Sequence, residues 1–180
     1  DAALRGLSVA LLEKEDFGHA TSAATSKLIH GGLRYLANFE WRIVRESLRE
    51  RRILENIAPN LVYPLPVMLT CYNEDKANHF RVLKAAMILY DLLSLDKGFT
   101  WDKSKKIPLH RTISASTARK LEPVIRKESL KGAHIYYDCA SLSPDRLTLA
   151  FIKSAVRHGA CVANYTKVTQ CLFKGKDVTG

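Results

Sequence analysis

Residues 20–35 hold most of the side chains in this sequence that could bind a ligand. The first half of this stretch carries four hydroxyl groups and an ammonium group, on Thr21, Ser22, Thr25, Ser26 and Lys27. If a helix starts here, its free N–H groups and these hydroxyls predict a phosphate site, because donor geometry and the helix dipole both favour an anion. A simple helix N-cap is the alternative.

The second half of the stretch could hold a ring system and a second anion. Gly31 and Gly32 remove side chains where the backbone must approach something flat or bulky, such as an isoalloxazine ring. The guanidinium of Arg34 suits a phosphate ester. His30 could orient against the ring or take a proton, and the Tyr35 hydroxyl could donate to a substrate oxygen. The alternatives are structural roles: a glycine kink, a surface arginine, a structural histidine and a packed tyrosine.

An acidic residue follows the first predicted strand. Residues 1–5 are interpreted as the end of a helix, and the apolar run 7–12 after Gly6 predicts a strand buried on both faces of a parallel sheet. Glu13 comes next, where a carboxylate can accept hydrogen bonds from the ribose of a dinucleotide. Surface glutamates also end strands, and this chain contains no glycine fingerprint, so both interpretations stay open.

The rest of the chain alternates between helical and extended patterns. Helices are expected after residue 25 and over residues 41–57, 76–95, 114–121 and 144–159, the last capped by Ser143. Strands are expected over residues 62–72, 133–137 and 161–173, the first at a sheet edge because of its two prolines, with a loop over 96–113. The apolar second half of the 76–95 helix suits either a buried face or a membrane or partner surface.

The formal net charge of +10 permits three kinds of partner: nucleic acid, an anionic membrane surface or a phosphorylated small molecule. The basic stretch 42–52 is interleaved with Glu46 and Glu50 and is interpreted as a solvated face. No nucleic-acid-binding motif occurs, so nucleic acid is not expected. The four cysteines form no CxxC pair and no histidine has ligand spacing, so no metal site is expected.

The run Ser26 to Leu36, SKLIHGGLRYL, resembles the segment characteristic of FAD-dependent glycerol-3-phosphate dehydrogenases, members of the D-amino-acid-oxidase-like flavoprotein superfamily. Shorter matches extend from Arg5-Gly6-Leu7 through Tyr136-Tyr137-Asp138 to Asn164-Tyr165. The chain is therefore similar to the N-terminal part of these enzymes. Their first strand and glycine-rich pyrophosphate loop are expected to be missing, and the rest of their substrate pocket is expected beyond Gly180.

This resemblance implies an α/β fold, with an incomplete FAD/NAD(P)-binding Rossmann-like parallel sheet and an inserted substrate-domain segment of α+β type. It implies that residues 1–60 and 138–180 belong to the FAD-binding domain and residues 61–137 to the substrate or cap domain. The fragment alone is expected to be inactive.

The resemblance also implies roles for individual residues. Glu13 is expected at the adenosine ribose and Val168 near the adenine. Arg34 is expected at the substrate phosphate with Tyr35 nearby, and His30 is the candidate catalytic residue. The remaining cofactor contacts are expected at the pyrophosphate and beside the flavin ring, from Thr21, Ser22, Ser26, Lys27, Leu28, Ile29, His30, Gly31 and Gly32.

The implied activity is oxidation of sn-glycerol 3-phosphate to dihydroxyacetone phosphate, with hydride passed to FAD and electrons to a membrane quinone. An oxidase that uses oxygen, or a non-catalytic module that binds a membrane surface or a partner, are the alternatives. Peripheral association with an anionic inner membrane on its cytoplasmic side is expected, or with the mitochondrial inner membrane, and a homodimer is possible.

Overall fold

The computed structural model describes residues 1–74 and 79–179. The chain forms two compact units, one of residues 1–27 and 143–180 and the other of residues 28–142. The terminal unit therefore combines the two ends of the chain, and the central unit is one continuous segment. These boundaries differ from the predicted functional division at residues 60 and 137, which stays a prediction.

The terminal unit is built around one parallel strand pair. A 3₁₀ helix, Ala3–Arg5, ends at Gly6 in a left-handed conformation, and strand β1, Ala10–Leu12, follows. Helix α4, Pro144–Arg157, leads into β6, Cys161–Ala163, which pairs in parallel with β1. A two-strand hairpin of β7, Phe173–Lys174, and β8, Asp177–Val178, lies near the end of the chain.

Three sequence predictions for the terminal unit need correction. The 7–12 run forms a strand only over Ala10–Leu12, and this strand is exposed rather than buried, since β6 is its one neighbour among the described residues. The strand expected over residues 161–173 ends at Ala163, because β1 offers only three residues for pairing. The helix expected from residue 144 forms, but the Ser143 side chain makes no capping hydrogen bond.

The central unit is an antiparallel sheet covered by helices. Its longest strand, β5 at Leu130–Ser141, pairs along its whole length with β3, Val62–Tyr72. The other side of β5 pairs with β2, Leu28–Ile29, and with β4, Arg111–Ser114. This places β3 at an edge of the sheet, as its prolines predict.

Three helices belong to this unit, and two of them begin and end close to where the sequence predicts. They are α1 at Trp41–Ile57, α2 at Phe80–Leu93 and α3 at Ala115–Leu121. The helix expected over residues 76–95 begins only at Phe80, because His79 is extended, and residues 76–78 lie outside the described part of the chain. The loop expected over residues 96–113 contains short 3₁₀ helices at Leu95–Gly98 and Lys103–Lys105 and ends in β4, which the pairing with β5 creates.

One core of the central unit lies between α1 and α2. Val44 and Leu48 of α1 and Tyr90 of α2 are its buried centre, and Leu33, Leu36, Leu93 and Tyr136 surround them. Arg45 fastens α1 to the segment after α2, because its two terminal nitrogens donate to the Asp96 carboxylate at 2.8 and 3.0 Å. The remaining face of α2 leaves Val82, Ile88 and Leu92 exposed. Only the side of α2 that carries Met87 and Tyr90 is therefore a buried packing face.

Among the described residues, no helix has the combination of length and apolar character that crossing a bilayer requires.

Candidate functional site

The segment from Leu28 to Asn38 carries all the predicted site residues of the central unit. Leu28 and Ile29 form β2 and pair with Ala140 and Cys139 of β5. After His30 and the two glycines, the chain enters a 3₁₀ helix, Leu33–Asn38. The helix expected directly after residue 25 is therefore wrong, because pairing with β5 draws residues 28 and 29 into a strand.

The turn at His30–Gly32, which we call the glycine turn, is fixed by a buried carboxylate. Asp138 of β5 accepts a hydrogen bond from the Gly31 amide at 3.0 Å through its Oδ1 atom. The same oxygen accepts from Arg51 Nη1 and from the Tyr90 hydroxyl, each at 2.7 Å. Arg51 Nη1 also donates to the Tyr137 carbonyl at 2.9 Å. One oxygen atom thus joins the turn to α1, α2 and β5.

The protein's own packing requires glycine at both positions of the turn. A Cβ atom on Gly31 would lie 2.2 Å from the Tyr90 hydroxyl and 2.3 Å from Leu48 Cδ2. Gly32 has a left-handed backbone, with φ of 71°, and a Cβ there would lie 2.6 Å from Tyr35 Cδ2. The sequence suggested that a bulky ligand makes glycine necessary at positions 31 and 32. In the structure, the neighbouring side chains Tyr90, Leu48 and Tyr35 already make it necessary.

The side chains of the first residue of the turn and of the two site residues that follow it face solvent. His30 and Arg34 are exposed, and Tyr35 keeps 40% of its surface accessible. Within residues 1–74 and 79–179, Arg34 forms no ion pair and no side-chain hydrogen bond. Its guanidinium is free to bind an anion, while the backbone that carries it is anchored three residues earlier at Gly31.

The terminal unit places Glu13 at the carboxyl end of the parallel strand pair. Its backbone continues the pairing, because its amide donates to the Ala163 carbonyl at 2.9 Å and its carbonyl accepts from Thr166 at 2.8 Å. The side chain is partly buried and its Oε1 accepts from the Glu15 amide at 3.0 Å. Ligands of open parallel sheets bind outside the carboxyl ends of the strands, so the position and chemistry of Glu13 fit a ribose.

The hydroxyl-rich residues of the terminal unit form a turn instead of a helix start. Thr25 Oγ1 accepts from the Lys27 amide at 2.8 Å, and Lys27 has a left-handed backbone with φ of 62°. Thr21 and Ser26 are exposed and Ser22 is partly buried. The helix-dipole argument for a phosphate site therefore fails here. Hydroxyls and amides remain as the possible donors, and the roles of these residues stay predictions.

Val168 lies outside any strand and is 61% exposed. The expected strand that would carry it to an adenine is absent from this part of the described chain, and its assigned role stays a prediction.

Sequence reasoning missed Arg51, because it assigned the basic stretch of α1 to a solvated face. Val44, Leu48, Arg51 and Glu55 lie at helical spacing on one stripe, and all four are buried. That spacing was the available signal. Several apolar residues that the periodicity assigned to the buried face are exposed instead, among them Trp41, Ile43 and Ile57.

The electrostatics of this buried region follow from desolvation. Burial raises the pKa of the Tyr90 hydroxyl, and the Asp138 carboxylate beside it adds to the shift. Burial likewise raises the pKa of Tyr136 to about 12 and that of the Cys139 thiol to about 12. These groups stay protonated at neutral pH, so the Tyr90 hydroxyl remains a donor to Asp138.

A family model described as FAD dependent oxidoreductase matches residues 1–180. A glycerol-3-phosphate dehydrogenase of Synechocystis is 42% identical over 177 residues, which cover 98% of this chain and 30% of that protein. An alpha-glycerophosphate oxidase of Lactococcus lactis is 35% identical over 181 residues, which cover 99% of this chain and 29% of that protein. The chain thus spans less than a third of the length of these relatives.

Among solved structures, the glycerol-3-phosphate dehydrogenase from Bacillus halodurans complexed with FAD superposes with a TM-score of 0.65 at 26% identity. The match covers 99% of this chain and 25% of that one. Its extent indicates that both units have counterparts in that structure.

Proposed function

Because this chain belongs to the family of FAD-dependent oxidoreductases, we propose that its full-length protein oxidises sn-glycerol 3-phosphate to dihydroxyacetone phosphate, with FAD as cofactor. The observation that carries the proposal is the unpaired, exposed guanidinium of Arg34 beside the anchored glycine turn, within the part of the chain that the structure describes. The choice of substrate follows from the names of two relatives, a glycerol-3-phosphate dehydrogenase and an alpha-glycerophosphate oxidase.

Several residues of this chain would hold the cofactor. Glu13 accepts hydrogen bonds from the ribose, which its partly buried carboxylate at the end of β1 suits. Val168 contacts the adenine. The other cofactor contacts come from two neighbouring parts of the sequence, Thr21, Ser22, Ser26 and Lys27 for the pyrophosphate and Leu28 to Gly32 for the ring.

Three exposed or half-exposed side chains act on the substrate. Arg34 binds the phosphate through charge-assisted hydrogen bonds, and the Tyr35 hydroxyl donates to a substrate oxygen. His30 takes the hydroxyl proton as general base. FAD, when bound, supplies the acceptor for the hydride that leaves the carbinol carbon.

A membrane quinone is the proposed electron acceptor, and oxygen is the second candidate because one relative is named as an oxidase. Peripheral binding to an anionic inner membrane, on the cytoplasmic side or in mitochondria, is part of the proposal. The charge of +10 and the exposed apolar residues of α2 near Arg81 and Lys84 support it. A homodimer remains a prediction.

Anaerobic spectroscopy on the full-length protein tests the activity. The purified protein should show a flavin spectrum that glycerol 3-phosphate bleaches and glycerol does not. Reoxidation by a soluble quinone without peroxide would support the dehydrogenase, and rapid peroxide formation in air would support the oxidase. A colourless protein that refuses added FAD and leaves glycerol 3-phosphate unchanged would refute the proposal.

The phosphate role of Arg34 has its own test in the same protein. Arg34→Ala should raise KM for glycerol 3-phosphate about 10- to 150-fold, because one charge-assisted contact contributes about 1.5–3 kcal/mol. Affinity for FAD should stay within about twofold, a difference below 0.5 kcal/mol. Arg42→Ala removes another exposed arginine of the central unit and serves as the matched control with an unchanged KM. An unchanged KM in Arg34→Ala would contradict the assigned role.

A further inference from the structure

We propose that Asp138 is a positioning residue, which holds the glycine turn in the conformation that the cofactor site needs and is itself held by Arg51 and Tyr90. We call Asp138, Arg51 and Tyr90 the clamp. The inference rests on the proposed function, since the glycine turn is a predicted cofactor contact, and it concerns residues that do not touch cofactor or substrate themselves.

The geometry of the clamp is specific to one atom. Asp138 Oδ1 accepts three hydrogen bonds, from the Gly31 amide at 3.0 Å, Arg51 Nη1 at 2.7 Å and the Tyr90 hydroxyl at 2.7 Å. Gly31 and Asp138 are 107 positions apart in sequence. The hydrogen bond therefore fixes the turn against β5 by a contact that no local preference of the turn could provide.

The clamp acts on the turn from two directions. Asp138 binds the amide of Gly31, and the Tyr90 hydroxyl lies 2.2 Å from the position that a Cβ of residue 31 would occupy. Leu48 closes the same side. The turn thus can move neither away from Asp138 without losing a hydrogen bond nor towards Tyr90 without a collision.

Burial explains why the clamp holds its geometry. The Arg51 and Asp138 side chains are only 1% and 4% exposed, so solvent does not compete for their hydrogen bonds. A buried ion pair is poor evidence for added stability, because desolvation offsets the attraction. Its clearer effect is directional: a charged acceptor in a place of low dielectric constant orients every donor around it. The clamp accordingly specifies where the turn lies.

The consequence reaches the exposed site residues. The backbone of the turn precedes Arg34 and Tyr35, and Gly32 leads directly into their 3₁₀ helix. A loosened Gly31 therefore changes how the turn meets a cofactor, even though the clamp side chains stay buried beneath it.

The test uses Tyr90→Phe in the full-length holoenzyme, because it removes one hydroxyl and keeps the ring. We expect at least about a fivefold weaker affinity for FAD, the effect of one hydrogen bond, and a changed visible circular dichroism of the bound flavin. The matched control is Tyr136→Phe, whose ring packs edge-on against Tyr90 with centroids 5.6 Å apart. The structure shows no hydrogen bond from the Tyr136 hydroxyl to Asp138 among the described residues, so this variant should match the wild type.

A second readout does not need the cofactor. Hydrogen exchange of the Gly31 amide, measured by NMR in the full-length protein freed of FAD, should quicken in Tyr90→Phe and in Asp138→Asn but not in Tyr136→Phe. If Asp138→Asn fails to fold, Tyr90→Phe decides alone.

Unchanged Gly31 exchange together with wild-type FAD affinity and spectrum in Tyr90→Phe would overturn the inference. Equal changes in Tyr90→Phe and Tyr136→Phe would also overturn it, because they would point to general packing. If the wild-type enzyme binds no FAD, the proposed function fails, and the Gly31 amide still decides whether the clamp holds the turn.

Discussion

Arg51 and Glu55 occupy positions of α1 where helical spacing calls for apolar residues. They continue the stripe of Val44 and Leu48, and both are almost fully buried. Arg51 is compensated by Asp138, whereas neither carboxylate oxygen of Glu55 has a hydrogen-bond partner in the described chain. Burial raises the pKa of Glu55, which favours its neutral form. Burial therefore affects the two ionisable residues of this helix face differently, because only Arg51 forms a buried ion pair.

Gly31 allows the sharpest prediction about a single residue. Gly31→Ala should destabilise the central unit by about 3 kcal/mol, because the added Cβ would overlap Tyr90 and Leu48 in a filled core. Urea unfolding of the 180-residue chain, followed by tryptophan fluorescence, measures the loss. Both tryptophans, Trp41 and Trp101, lie in the central unit.

Gly98→Ala is the matched control for this substitution. A Cβ there would meet only Lys106 Cε, at 3.4 Å, and the backbone of Gly98 is not left-handed. We expect it to be neutral or to stabilise by up to about 1 kcal/mol, since alanine restricts the unfolded chain. A loss of similar size in both variants would show that the overlap with Tyr90 and Leu48 is not the cause, and no loss in Gly31→Ala would show that the turn tolerates a side chain.

At the scale of elements, two serines at helix starts differ in what they contribute. Ser114 precedes α3 and its Oγ accepts from the Thr117 amide at 3.2 Å, whereas Ser143 precedes α4 without a capping hydrogen bond. Ser114→Ala should therefore weaken α3 by about 1 kcal/mol, which is about a fivefold loss of amide protection. Ser143→Ala should leave α4 protection unchanged. Hydrogen exchange resolved by helix measures both, and an equal effect would contradict the contrast.

The same elements show what the sequence could predict. The bounds of α1 and β3 follow from signals inside each segment, namely an amphipathic repeat and two prolines that suit an edge strand. The strand Leu28–Ile29 and the strand Arg111–Ser114 depend on β5, which lies far away in the sequence. Local patterns carry no information about such partners, so a helix was expected after residue 25 and a loop over residues 111–113.

The candidate site divides in the same way. Residue chemistry and family resemblance could mark Glu13, Arg34 and the glycine turn, since their types and order are visible in the chain. The clamp could not be predicted from the sequence, because its residues meet Gly31 only when α1, α2 and β5 pack together. The requirement for glycine at position 31 is consequently a property of the packed core.

At the scale of the whole molecule, titratable groups with opposite effects on stability are concentrated in the central unit. Burial lowers the pKa of His134, although its ring hydrogen-bonds to Phe80 and Thr112. The unfolded chain therefore binds the extra proton more readily, and stability falls as pH drops below about 6.5. Glu55 acts in the other direction: its raised pKa gives a contribution that is present below about 4.5 and is lost as pH rises.

Two further carboxylates, those of Asp91 and Asp96, change the free energy of unfolding only at acid pH. Burial works against ionisation of Asp91, but hydrogen bonds from Lys97 and His110 outweigh it and lower the pKa of Asp91. The hydrogen bond from Arg45 lowers the pKa of Asp96. Both contributions are present above about pH 3.8 and are lost as pH falls through the folded-state pKa.

Substitutions of His134 and Glu55 should therefore change the pH dependence of the free energy of unfolding in opposite directions. His134→Gln is the variant of choice because a glutamine amide can keep the hydrogen bonds to Phe80 and Thr112. The difference in free energy of unfolding by which this variant is less stable than wild type should shrink as pH falls from 7.5 to about 5. The free energy of unfolding of Glu55→Gln should increase relative to that of wild type as pH rises from about 4.5 through the folded-state pKa of Glu55. Each slope should stay below about 1.4 kcal/mol per pH unit, the limit for one proton. Urea unfolding at a series of pH values, read by tryptophan fluorescence, measures both, and parallel profiles for either variant and wild type would show that its group does not titrate differently on folding.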